Sequence, residues 1–175
     1  MTFALAGTGL WGIRYFGLPL KFALSPAVLL YGLAGFAVLT IWTFGVQLGY
    51  ALFKGRDHAD RLTRSLAKEF AGSSIFQALL GGITAALGEE LFFRGFIQAQ
   101  WGLAAGVLLF GLAHFGKKDI RVVSYWSFMH GLIIGLSYRF SGNLLVPMMT
   151  HGFFDMGGVI YFTWIMKPVE PGVEA

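Results

Sequence analysis

Long apolar runs separated by short polar stretches dominate the pattern along this chain. An α-helix needs roughly 20 mainly apolar residues to cross a bilayer. Six runs can be drawn on this basis, at residues 2–20, 26–53, 70–101, 102–115, 122–140 and 144–166. The pattern therefore predicts an all-α fold, a polytopic transmembrane helix bundle with about six membrane segments. No internal repeat or low-complexity linker divides it, so we expect a single integral membrane domain over residues 1–175.

Two of the runs are weaker than the others. Arg14 interrupts the first, which we interpret as a retained segment because no convincing signal-peptide cleavage site follows it. The fourth is short, and a re-entrant first or fourth segment would change the count. Pro147 falls in the first turn of the last segment, where a missing N–H costs little.

Composition agrees with a membrane location. The 175 residues are 56% hydrophobic and 13% charged, about half the charged share of a typical soluble domain, and the mean hydropathy is +0.67. The absence of Cys excludes disulfides, thiolate metal sites and Cys nucleophiles. The net charge of +4 is spread over loops, without the dense basic face that nucleic-acid binding needs.

Basic residues predict the orientation of the bundle. Under the positive-inside rule the basic loops face the cytoplasm, and they contain Lys54, Arg56, Arg61, Arg64, Lys68, Lys117, Lys118, Arg121 and Lys167. Lys21 and Arg139 then fall on the far side. This arrangement places both termini in the cytoplasm.

Ionisable residues within apolar segments are costly and need a reason. In the run Glu89-Glu90-Leu-Phe-Phe-Arg94, Glu90 and Arg94 are four residues apart and able to pair on one helical face. Glu89 is rotated about 100° away and stays available as a base. A structural salt bridge is the alternative interpretation of the pair.

Histidines supply the other candidates. His114 follows Phe110 by one turn, and each could be core packing or part of a pocket. His151 and Asp155 share a helical face, so they could form an oriented imidazole, a metal-binding pair or a buried hydrogen-bonded pair. His130 has no acidic partner at helical spacing, and we interpret it as a core or lining residue.

Taken together, EELFFR, FGLAH and HGFFD resemble the three signature motifs of the CAAX-protease and bacteriocin-processing family, in the same order. The resemblance covers about Gly88 to Gly158 and implies a catalytic core at 70–166. By resemblance, Glu89 activates a water that His114 helps to hold, while His151 and the residue at position 155 stabilise the oxyanion. Glu90, Arg94 and Phe110 would support the site.

One position departs from the best-studied prenyl-protein members, which have Asn where this chain has Asp155. An ionised carboxylate cannot donate a hydrogen bond to an oxyanion. Asp155 must therefore be protonated, orient His151 or ligate a metal. Family members have also been described as metalloproteases, and a zinc ion could be held by Glu89, His114 and His151. We prefer a metal-free site, because no HExxH motif is present.

These observations lead us to expect an intramembrane endopeptidase, in a prokaryotic inner membrane, that cleaves a membrane-anchored protein or peptide near its C-terminal tail. The alternatives are a proton or ion relay in a transporter or channel, a zinc-dependent version of the protease, and an inactive scaffold. Substrate identity and oligomeric state are not encoded in the motifs. One difficulty concerns depth, because Glu89 lies deep in its segment while His114 lies near the end of another.

Overall fold

The computed structural model describes residues 2–54, 74–114 and 121–161, without the side chains of 50, 54, 78 and 121–125. All regular structure in these ranges is helical. The helices are α1 (Thr2–Tyr15), α2 (Pro26–Lys54), α3 (Ile75–Glu90), a π-helical segment (Leu91–Gln98), α4 (Ala99–Ala113), α5 (Arg121–Ser141) and α6 (Leu145–Ile160). The all-α fold class is confirmed. Of the basic residues used to predict orientation, those at 56–68, 117, 118 and 167 lie outside the described residues.

Within the described ranges, two helical stretches are long and apolar enough to cross a membrane, namely Pro26–Phe53 and Ile75–Ala113. Their exposed sides carry large apolar residues such as Leu30, Ile41 and Phe76, which suits a surface that faces lipid. The count of about six membrane segments stays a prediction.

Local signals explain where several helices begin and end. Helix α1 stops at Tyr15, earlier than the apolar run suggests, because Gly17 adopts a φ of 63°. The Leu18 N–H then bonds the Ile13 carbonyl and the Gly17 N–H bonds the Arg14 carbonyl, which is a Schellman motif. Helix α3 starts with a capping box formed by Ser74 and Gln77.

The chain reverses direction at Gly102, where φ is 88° and ψ is 173°. The part of helix α4 after Gly102 folds back along the π-helical segment. The two elements are in close contact, since a Cβ built on Gly106 would lie 2.9 Å from Gln98 Cβ and the Phe93 and Phe110 ring centroids are 5.1 Å apart. Glu89 and His114 lie at nearly equal distances along the chain from this reversal. They therefore reach the same depth, which removes the difficulty that their sequence positions raised.

Close helix contacts at small residues hold the remaining elements around this hairpin. Helix α2 approaches α6 where Gly32 meets Met149. Helix α5 approaches the hairpin where Gly131 meets Phe110, and α1 approaches the π-helical segment where Gly9 meets the Leu91 backbone. Small residues allow such short distances between membrane helices, and the result is a bundle with polar groups in its interior.

Candidate active site

An ion pair between Glu90 and Arg94 lies at the centre of the bundle. Both residues are fully buried, and Arg94 Nη1 donates to Glu90 Oε1 at 2.9 Å. Arg94 Nη2 donates to the carbonyl of Gly131 on α5 at 2.9 Å. The pairing expected from the four-residue spacing is thus present, although the helix is widened to a π-helix from Leu91 onward. Such π segments are frequent at functional sites.

Glu90 also binds His151, a contact that the sequence pattern did not predict. His151 Nδ1 lies 2.7 Å from Glu90 Oε1, while His151 Nε2 lies 3.5 Å from Asp155 Oδ2. Because Glu90 Oε1 accepts from Arg94 as well, we place the proton on Nδ1 of His151. Glu90, rather than Asp155, therefore makes the short hydrogen bond that orients this imidazole. No local signal reveals the contact, since α3 and α6 meet only in the folded bundle.

Glu89 faces a different partner. Its Oε2 lies 3.9 Å from His114 Nε2, beyond hydrogen-bond distance, and within the described part of the chain this buried oxygen has no hydrogen-bond partner. His114 is fixed through Nδ1, which lies 2.8 Å from the Phe110 carbonyl. Since Nδ1 donates to that carbonyl, Nε2 of a neutral imidazole presents a lone pair towards the Glu89 carboxylate. The two acceptors are placed to share a bridging donor such as water.

Phe110 packs beneath both histidines. Its ring centroid lies 4.6 Å from that of His114 and 6.0 Å from that of His151. The Arg94 guanidinium carbon lies 4.5 Å from the same centroid, within the range of a cation–π contact. Phe110 is 3% exposed, so it closes one side of the site to water.

Exposure differs across the site. The His114 and Asp155 side chains are 35% and 30% exposed, whereas those of Glu89 and His151 are 12% and 10% exposed and Glu90 is fully enclosed. The site is therefore open on the side of His114 and Asp155. A Cβ at Gly82 would lie 3.1 Å from Asp155 Cβ, so α3 packs closely against this edge.

His130 belongs to a separate polar contact. Its Nε2 lies 3.3 Å from Thr43 Oγ1, and its ring packs on Trp126 at 4.1 Å and Phe154 at 4.7 Å between centroids. His130 is 7% exposed, so of the two interpretations, a core or a lining residue, this environment fits the core residue.

The ligands proposed for zinc do not fit as they are placed. Within the described ranges, no three His, Asp or Glu side chains lie close enough to hold one metal ion. A zinc ion held by Glu89, His114 and His151 would therefore need side-chain rearrangement.

The fold and the site together define the class of this protein. It is a helical membrane protein in which carboxylate and histidine side chains lie paired in the interior of the bundle. A family described as type II CAAX prenyl endopeptidase Rce1-like matches residues 71–157, about half of the chain. The chain belongs to this family, which is a family of intramembrane proteases. The matched region contains every candidate residue from Glu89 to Asp155.

A curated relative also matches part of the chain, and its name states no function. The uncharacterized protein YpbD of Bacillus subtilis (strain 168) is 33% identical over 93 residues, which are 50% of this chain and 47% of the relative. The match thus spans about half the length of that protein. No solved structure matches the chain.

Proposed function

We propose that this protein is an intramembrane endopeptidase that hydrolyses a peptide bond in a membrane-associated protein or peptide, near its C-terminal tail. The observation that carries the proposal is the unequal use of two adjacent carboxylates. Glu90 Oε1 is engaged by Arg94 and His151, and its Oε2 has no partner among the described residues. Glu89 Oε2 likewise has no hydrogen-bond partner there, but it is not held by a cation at short distance and faces His114 Nε2 at 3.9 Å. A buried carboxylate without a partner is suited to remove a proton from a water molecule.

In the proposed reaction, Glu89 and His114 hold a water between them. Glu89 takes one proton from that water as its oxygen attacks the carbonyl carbon of the substrate. The C–N bond then breaks, and the proton on Glu89 passes to the leaving nitrogen. The products are a new carboxyl terminus and a free amine.

His151 supplies the positive charge and the donor that the oxyanion requires. Glu90 accepts from its Nδ1 and Asp155 lies near its Nε2, an arrangement that favours a protonated imidazole. The Nε2–H then donates to the oxyanion, an interaction that strengthens as negative charge develops on the oxygen. Asp155 acts through its negative charge, which favours the protonated form of the imidazole that Glu90 orients, and this gives a role to the residue that departs from the prenyl-protein pattern.

The substrate class follows from the site's surroundings and from the family. Glu89 lies near the middle of the helical arm from Ile75 to Trp101, between surfaces that expose apolar side chains such as Phe76 and Leu87. A substrate that reaches it must be anchored in, or associated with, the same membrane. The family description, an endopeptidase of C-terminal CAAX sequences, favours cleavage close to a C-terminal tail.

The test compares the C-termini of membrane proteins by mass spectrometry in cells that express wild-type protein, Glu89→Gln or Arg14→Gln. Glu89→Gln preserves shape and removes the base, and Arg14→Gln removes an exposed charge elsewhere. Tails that lengthen only in the Glu89 variant would support the proposal and identify the substrates. Unchanged C-termini with normal expression would contradict it. Glu89-dependent proton flux in vesicles would then favour a relay, and the absence of any effect would favour a scaffold.

A further inference from the structure

A second polar feature lies at the other end of the helical hairpin, far from the carboxylates. A cavity of about 330 Å³ is lined by residues of the α1–α2 loop, the Gly102 turn and the end of α5. These residues are Pro19, Lys21, Gln98, Gly102, Leu103, Tyr138, Arg139 and Gly142. Small-molecule sites start at about this volume.

Hydrogen bonds fix the walls of this cavity. The Leu144 N–H donates to the Lys21 carbonyl at 3.0 Å, and Asn143 Nδ2 donates to the Ala23 carbonyl at 2.7 Å. On the opposite wall, Gln98 Nε2 donates to the Gly135 carbonyl at 2.7 Å. The α1–α2 loop is thereby tied to the α5–α6 turn, and the cavity is part of the fold rather than a gap between free loops.

The two cations of the cavity have no carboxylate to balance them. Within the described ranges, the carboxylates are Glu89, Glu90 and Asp155, all of which belong to the active site. Gly102 follows Glu89 by thirteen residues, so roughly 20 Å of helix separates the active site from the hairpin turn. No ion pair in the described part of the chain includes Lys21 or Arg139. The cavity therefore has a net positive charge that no described residue neutralises.

Exposed aromatic side chains surround the same end. Trp11, Tyr15 and Trp101 are 60%, 69% and 54% exposed, and Phe16 joins them through ring contacts with Tyr15 and Trp101. Trp and Tyr concentrate at the depth of lipid headgroups. This belt places the cavity at a membrane–water interface, where phosphate is the abundant anion.

We propose that this cavity binds a phosphate group, with Lys21 and Arg139 as its cationic ligands and the Tyr138 hydroxyl as a further donor. Arginine binds phosphate through two parallel hydrogen bonds and lysine as a point charge. The source that the aromatic belt favours is the headgroup of an anionic phospholipid. The cavity also leaves room for a small headgroup alcohol. This inference is independent of the proposed peptidase reaction.

The experiment uses the full chain in phosphatidylcholine vesicles that contain increasing fractions of phosphatidylglycerol, and it measures thermal unfolding. Phosphatidylglycerol should raise the unfolding temperature of the wild type. Lys21→Gln and Arg139→Gln should each weaken the apparent affinity about tenfold, because each loses a charge-assisted hydrogen bond to the phosphate. Arg14→Gln is the matched control, because it removes an exposed charge from α1 outside the cavity, and it should leave the affinity unchanged.

A second arm distinguishes the two sources of phosphate. Inorganic phosphate is added to the detergent-solubilised chain without lipid. Stabilisation by phosphate with the same dependence on Lys21 and Arg139 would support the site and assign a soluble phosphate as a ligand. Stabilisation by phosphatidylglycerol alone would assign the lipid. Two outcomes would overturn the proposal: stabilisation by neither ligand, or equal losses in Arg14→Gln and Lys21→Gln, which would indicate diffuse charge attraction.

Discussion

Two adjacent glutamates have different surroundings because a helix turns about 100° per residue. Glu90 points into the bundle, where Arg94 and His151 share its Oε1. Glu89 points towards the side where His114 and Asp155 are partly exposed. One carboxylate thus stabilises the buried cations, while its neighbour stays available for proton transfer.

Substitution of the two glutamates should separate stability from chemistry. Glu90→Gln leaves the buried Arg94 guanidinium without its counter-charge, and breaking a buried ion pair in this way costs about 3–5 kcal/mol. Glu89→Gln should keep the wild-type unfolding midpoint and abolish cleavage. Denaturation of both purified variants in detergent checks the difference. Equal midpoints for the two variants would show that Glu90 does not hold the site together.

Asp155 provides a test of how the oxyanion is stabilised. Asp155→Asn retains a polar group at the same position and introduces an amide donor, so we expect activity within about tenfold of wild type. Asp155→Leu removes the carboxylate near His151 Nε2 that favours the protonated imidazole, and it should lower kcat by up to about 10²-fold, the loss expected when an oxyanion donor is weakened or removed. Cleavage rates on a substrate identified from the C-terminal comparison provide the measurement. Full activity in Asp155→Leu would remove this residue from the mechanism.

Glycine has distinct uses in different helical elements. The small-residue spacing of Gly45 and Gly49 suggests a helix contact, yet a Cβ at either position meets no atom of the described residues within 4 Å. Gly131 and Gly135 share that spacing and lie against Phe110 and Leu103. Gly102 is required for its backbone conformation instead. Glycines four residues apart, including Gly102 and Gly106, therefore lie at a helix contact, at a chain reversal or on an exposed surface, and the spacing alone does not distinguish these positions.

The Gly102 reversal should be sensitive to any side chain. Its φ of 88° with ψ of 173° is a conformation essentially confined to glycine, and a Cβ there meets nothing within 4 Å, so backbone strain is the only cost. Gly102→Ala should lose about 1–3 kcal/mol of stability and reduce activity, because the hairpin brings Glu89 and His114 together. Gly45→Ala, within α2 and free of contacts, is the control and should be neutral or slightly stabilising. Equal unfolding midpoints for both variants would contradict a strained reversal at Gly102.

At the scale of the whole molecule, two groups of polar side chains lie at different levels of the described part of the bundle. The carboxylates and their histidine partners lie within the helical interior. Lys21 and Arg139 lie together beside the Gly102 turn. Helix α3 starts at the other end of its arm, where Ser74 is exposed. The loop charges predict that Lys21 and Arg139 lie on the far side of the membrane, and this orientation stays a prediction.

Cysteine labelling in intact cells tests that arrangement, since the chain has no Cys of its own. Lys21→Cys and Arg139→Cys should react with a membrane-impermeant maleimide from the same side of the membrane. Ser74→Cys should react only from the opposite side. Labelling of all three from one side would show that the arm from Ile75 to Trp101 does not cross the membrane.

The apolar runs determined the fold class and most helix bounds, because burial in lipid requires long apolar helices whose backbone groups bond internally. The four-residue spacing also determined the Glu90–Arg94 pair, since that contact is local to one helix. Only the tertiary structure decided that Glu90 binds His151 and that Glu89 meets His114. Those contacts depend on how α3, α4 and α6 pack and on the reversal at Gly102. Helical periodicity gives the face on which a residue lies, but the neighbouring helix that meets this face is set by packing between distant segments.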